Sequence, residues 1–85
     1  MEIIFHRNFK KQLKKLPPKI QVQFAEHLQL LLHEANHPLL RIHELRGTMY
    51  PMQSMNITGD YRAIFINRET VVTFYMIGTH SELYE

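Results

Sequence analysis

The sequence predicts an α+β fold, with one strand, two helices and then four strands, the helices packed on a mostly antiparallel sheet. Three observations carry this expectation. In the first half, apolar residues recur at helical spacing, at Phe9, Leu13 and Leu16 and again at Ile20, Phe24, Leu28 and Leu31. After Pro38 the texture changes to short runs of strand-forming residues, interrupted by Gly47, Pro51, Gly59–Asp60 and Gly78. The chain has 85 residues, 45% of them hydrophobic, which suits one two-layer core and a single domain over residues 1–85.

Taken in order, Glu2 to His6 holds two isoleucines and a phenylalanine and reads as a buried first strand. Asn8 offers an N-cap for a short helix that buries Phe9, Leu13 and Leu16 and leaves Lys10, Lys11, Lys14 and Lys15 on its other side. Pro17 and Pro18 stop that helix, and Pro18 can open the next. The second helix is expected to end near Ala35, ahead of Asn36 and Pro38. Strands are then expected at Ile42 to Arg46, Met52 to Ile57, Tyr61 to Asn67 and Val71 to Ile77.

Composition narrows the chemistry. With no cysteine there is no disulfide framework, no thiolate nucleophile and no zinc ribbon, as befits a reducing compartment. No apolar run approaches the roughly 20 residues of a spanning helix, so a soluble, cytoplasmic protein with no membrane partner is expected. The net charge of +2 is small but unevenly placed. Arg7, Lys10, Lys11, Lys14, Lys15 and Lys19 fall in a stretch from Ile3 to Ala25 that contains no acid. That stretch is either a solvated helix face or a surface for a polyanion.

His33–Glu34–Ala35–Asn36–His37 matches the H-E-x-x-H zinc pattern, with His43 where a third ligand would fall. The chemistry needs both histidines on one face of a continuing helix. Pro38 forces His37 toward an extended backbone, and Leu40 stands where the longer pattern requires glycine. No metal site is expected. Phosphate-binding loops, dinucleotide fingerprints and serine-nucleophile elbows are absent from the sequence as well.

The chemistry-bearing residues cluster late in the chain. Leu45–Arg46–Gly47 ends one segment, Asp60–Tyr61–Arg62 opens another, and Ile77-Gly78-Thr79-His80-Ser81-Glu82-Leu83-Tyr84 sets a histidine just after an expected glycine turn and an aromatic four residues later. With the basic first helix, these segments resemble the RelE/ParE superfamily of small bacterial toxins, in its RelE-like messenger-RNA interferase branch. The resemblance spans nearly the whole chain and is most specific in the terminal segment.

The resemblance implies a cytoplasmic bacterial toxin of a type II toxin–antitoxin pair, held by a cognate antitoxin protein. It would cleave messenger RNA on the ribosome without metal or cofactor, using the RNA's own 2′-hydroxyl as nucleophile. His80 would then be the leading acid or base, since imidazole titrates near working pH. Arg62 would clamp the scissile phosphate, His43 would be a second proton-handling group, and Tyr84 would stack on a base or assist protonation. Arg46 would contact phosphate, and Lys10, Lys11, Lys14 and Lys15 would attract ribosomal RNA.

Structural alternatives stand beside each assignment. His80 could be a turn histidine, Arg62 an ion-pair partner of Asp60 or Glu69, and Arg46 a solvated strand end. Alternation along a strand would also put His43 and Arg46 on opposite faces. Asn56 stands where many relatives carry a basic residue, and Met52 where an aromatic is common. A gyrase poison of the ParE-like branch and a non-catalytic RNA-binding or interaction domain share the expected fold, and the site has to separate them.

Overall fold

A computed structural model describes residues 1–84. The expected order is present: β1 (Glu2–Phe5), α1 (Arg7–Lys14), α2 (Pro18–His33), β2 (His43–Glu44), β3 (Gln53–Asn56), β4 (Tyr61–Arg68), β5 (Val71–Thr79) and a terminal α3 (His80–Tyr84). Short 3₁₀ turns at Pro38–Leu40 and Gly47–Met49 flank β2. The five strands form one sheet in the order β1-β5-β4-β3-β2. Only β1 runs parallel to its neighbour, with Glu2 opposite Val71 and Phe5 opposite Phe74.

One face of the sheet carries the core. Phe9, Phe24 and Leu31 from the helices meet Met55, Ile57, Ala63, Phe65, Val72, Phe74 and Ile77 from the strands. Phe74 is the hub, its ring centroid 5.4 Å from those of Phe9, Phe24 and Phe65 and 5.8 Å from that of Phe5. Aromatic pairs of this kind add about 0.5–1.5 kcal/mol each beyond the area they bury. Strand alternation sends Asn56, Arg62 and Ile64 to the opposite, outer face.

The helix ends differ from expectation in instructive ways. Asn8 does not cap α1; His6 does, its Nδ1 accepting the Asn8 backbone N–H at 3.1 Å. His37 repeats the device at the next 3₁₀ turn, accepting from Leu39 N–H at 3.1 Å. Helix α2 stops at His33, where Glu34 already has an extended φ of −151°. His33 and His37 therefore do not share a helical face, and the H-E-x-x-H spacing lacks the register that zinc ligation needs.

Strand ends also shift. β2 is shorter than the expected segment, because Arg41 turns out of line at φ 45°, in the left-handed region, and Gly47 does so at φ 71°. β5 runs longer, so Gly78 is a strand residue opposite Arg62 and not a turn. A register shift lets Tyr75 go unopposed between Phe74 and Met76, a bulge that keeps Phe74 and Ile77 both in the core. Beyond the end of β1, the open edge of β5 is closed by Gln12 of α1, whose Oε1 accepts the Ile77 N–H at 2.9 Å.

Candidate active site and nucleic-acid interface

The terminal helix starts where β5 ends, and its first turn is held by a reciprocal cap. Thr79 Oγ1 accepts the Glu82 backbone N–H at 3.3 Å, while Glu82 Oε1 accepts the Thr79 N–H at 2.8 Å. This is a T-x-x-E capping box. Both Thr79 contacts hold the Glu82 carboxyl below its ordinary value of 4.5, the backbone hydrogen bond more than the hydroxyl. A Cβ added at Gly78 would lie 3.1 Å from Glu82 Oε1, so glycine leaves room for that carboxylate.

The box places His80 at the first position of α3. Its backbone N–H donates to the Asp60 carbonyl at 3.0 Å, tying α3 to the β3–β4 turn. Its exposed ring meets the Tyr84 ring edge-on at a centroid distance of 4.6 Å. The Tyr84 hydroxyl is buried and has no hydrogen-bond partner among the described residues. Tyr84 thus faces His80 with its ring and keeps its polar tip inside.

Arg62 lies on the neighbouring strand opposite Gly78, two positions short of His80. It pairs with neither Asp60 nor Glu69. Its Nη1 donates to the carbonyls of Gly59 at 3.1 Å, Thr58 at 3.2 Å and Tyr61 at 3.3 Å. The guanidinium is therefore anchored through one nitrogen, with its other donors left for a ligand. Asn56 is its cross-strand partner on β3.

His43 is not brought to His80. Its register partner Ser54 lies opposite Ile64, which lies opposite Met76, so His43 belongs to a separate row of the outer face. Three strand spacings of about 4.8 Å separate β2 from β5, with a further offset along the ladder. His43 Nδ1 is 3.1 Å from the Arg41 carbonyl. A carbonyl only accepts, so Nδ1 is the donor in this contact, and in the neutral ring Nε2 is the accepting nitrogen.

Arg46 is exposed at the start of the Gly47–Met49 turn, outside β2, so strand alternation does not govern its side chain. Lys10, Lys11 and Lys14 are exposed along α1, and Lys15 is its exposed C-cap. The helix layer and the outer-face row of Asn56 and Arg62 lie on opposite sides of the sheet. Arg62 and the lysines of α1 are thus on opposite sides, whereas α3 approaches the end of α1: Glu82 and Leu83 line one pocket with Gln12 and Lys15.

Two features were not singled out from the sequence. The T-x-x-E signature at Thr79 to Glu82 was readable as a cap. His27 of α2 carried no such signal: its Nδ1 lies 2.6 Å from the Asn56 carbonyl, at a point where β3 has run past the end of β2. Among the described residues no group of three or more His, Asp or Glu gathers as a metal would require, and no helix is long and apolar enough to cross a membrane.

No family model matches the sequence, and no curated protein matches it significantly. Solved structures do match. YafQ from E. coli strain BL21(DE3) superposes with a TM-score of 0.85 at 16% identity, over 99% of this chain and 98% of that one. A chain of the E. coli DinJ–YafQ toxin–antitoxin complex gives 0.82 at 17% identity, over 99% and 97%. A chain of the archaeal RelE–RelB complex from Pyrococcus horikoshii OT3 gives 0.72 at 23% identity, over 92% of both. At these identities the likeness is one of fold, and the fold is that of the RelE-like toxins.

Proposed function

We propose, with the RelE-like fold as premise, that this chain is the toxin of a type II toxin–antitoxin pair and a ribosome-dependent endoribonuclease acting on messenger RNA. The observation that carries the reading is His80, exposed and held by the Asp60 carbonyl, the Thr79–Glu82 box and the Tyr84 ring, two residues past the register partner of Arg62, which makes no ion pair among the described residues.

Such a pair suits cleavage by the RNA's own 2′-hydroxyl. A base removes the 2′-hydroxyl proton, the 2′ oxygen attacks the adjacent phosphorus, and the bond to the 5′ oxygen breaks. Arg62 neutralises the extra charge on the phosphorane through its unused N–H groups. His80 gives a proton to the departing 5′ oxygen, leaving a 2′,3′-cyclic phosphate and a 5′-hydroxyl. His43, with Nε2 free to accept, is the candidate base. Its separation from His80 makes the chemistry depend on how the RNA bends across the outer face, which is what a ribosome would supply. Tyr84 supports the His80 ring. Arg46 and the lysines of α1 add phosphate and ribosomal-RNA contacts, and a cognate antitoxin would neutralise the protein.

The test is induction of wild type, His80→Ala and Arg62→Ala, with mapping of messenger-RNA 5′ ends and an assay for gyrase-linked DNA breaks. Codon-phased new ends with wild type, reduced about 10²- to 10⁴-fold by His80→Ala, are expected. Equal growth arrest by all three proteins without new RNA ends would sink the proposal, and DNA breaks in their place would point to a gyrase poison.

A further inference from the structure

At the open edge of β3 lies a cleft of about 400 Å³. Arg41, from the segment before β2, and Arg62, from β4, both line it, with Thr58 and Gly59 of the β3–β4 turn, Asn56, and His27 of α2. No acidic residue contributes to the lining. Among the described residues neither guanidinium makes an ion pair, although the chain has eight carboxylate side chains.

Each arginine is placed at some cost or by some device. Arg41 has φ 45° and ψ 46°, a left-handed backbone that glycine or asparagine adopts more cheaply, held by its N–H on the Pro38 carbonyl. Arg62 is fastened by Nη1 to the Thr58 and Gly59 carbonyls of the same cleft. His27 covers the Asn56 carbonyl, which would otherwise offer an approaching anion a repulsive oxygen. Unpaired cations, a pre-set guanidinium and a masked acceptor converge on one ligand chemistry.

We infer that this cleft is a second phosphate subsite, in which Arg41, with Arg62 at the seam, holds a phosphodiester of the single-stranded RNA flanking the bond cleaved at His80. The inference deepens the ribonuclease reading and rests on it for the identity of the anion. Arg41 binds backbone and takes no part in proton transfer.

Arg41→Gly tests it cleanly, because glycine accepts φ 45° while deleting the guanidinium, and Arg41→Gln provides a second variant that keeps a side chain. The probe is a short uncleavable single-stranded oligonucleotide with 2′-O-methyl groups, titrated over a range of salt. Both variants are expected to bind roughly five- to tenfold more weakly at low salt, with the slope of log K against log salt smaller by about 0.7, and Arg41→Lys is expected to restore part of the loss. Unchanged affinity and slope in both would overturn the proposal. So would unchanged RNA binding with weakened capture of an acidic protein partner. If the Arg41 variants lose binding while His80→Ala still cleaves RNA, the cleft stands and the catalytic assignment falls.

Discussion

Glu82 is exposed, yet it organises the turn that carries His80. Its carboxylate is the partner that Thr79 prefers charged, which is why its proton leaves at a lower pH than usual. A carboxyl with a lowered folded-state pKa contributes stability above its unfolded value and loses it as pH falls through the folded one. The difference in melting temperature between wild type and Glu82→Gln should therefore be largest at neutral pH and should vanish as pH drops below 4.5 through the depressed value. Tyr84 gives a second prediction. Its hydroxyl is buried without a partner among the described residues, so Tyr84→Phe should be neutral or stabilising by up to about 1 kcal/mol in urea unfolding, and on the proposed function Tyr84→Ala should cut RNA cleavage by freeing the His80 ring. At this scale the sequence was partly legible. Thr79 and Glu82 advertise a capping box, whereas imidazole caps such as His6 and His37 have no comparable signature. Arg41 has no signal in the sequence, because only its backbone conformation and the cleft together mark it.

At the scale of elements, two side-chain hydrogen bonds repair strand edges. Gln12 satisfies β5 beyond the end of β1, and His27 does the same for β3 beyond β2. Gln12→Leu leaves the Ile77 N–H without its acceptor, and should cost about 1–3 kcal/mol by denaturant unfolding. Gly78→Ala pushes a methyl against Glu82 Oε1; its amide spectrum should show loss of the Thr79–Glu82 contacts while the β4–β5 ladder persists. The helices and the long strands were legible from periodicity, since Phe9, Phe24 and Phe74 fall where a core requires them. Strand limits were not. The length of β2 depends on how Arg41 and Gly47 turn away from β3, and the strand character of Gly78 depends on its partner Arg62. The extended backbone of His37 was legible from Pro38 through local sterics, whereas the stop of α2 at His33, ahead of the expected end near Ala35, was not.

The whole molecule carries cations on both sides of one sheet. The lysines of α1 sit with the helix layer, and Arg62 sits on the other face. On the proposed function, neutralising charge on α1 should weaken ribosome association and flatten its salt dependence. Co-sedimentation of Lys10→Gln/Lys14→Gln protein with ribosomes across a salt series measures this. Between the surfaces the aromatic hub around Phe74 holds both in place. Phe74→Ala should cost about 3–5 kcal/mol, a large part of the 5–15 kcal/mol typical of folded proteins, and should remove activity through unfolding, as circular dichroism would report.

The parallel pairing of Glu2 with Val71 also imposes an order in time. β1 precedes β5 and has no strand to join until β5 has emerged, so the nascent polypeptide carries an unmatched apolar segment while α1, α2 and β2 to β4 are made. His80 follows β5 directly. The sheet and the helical turn that carries His80 are therefore completed together, after every other strand has been made.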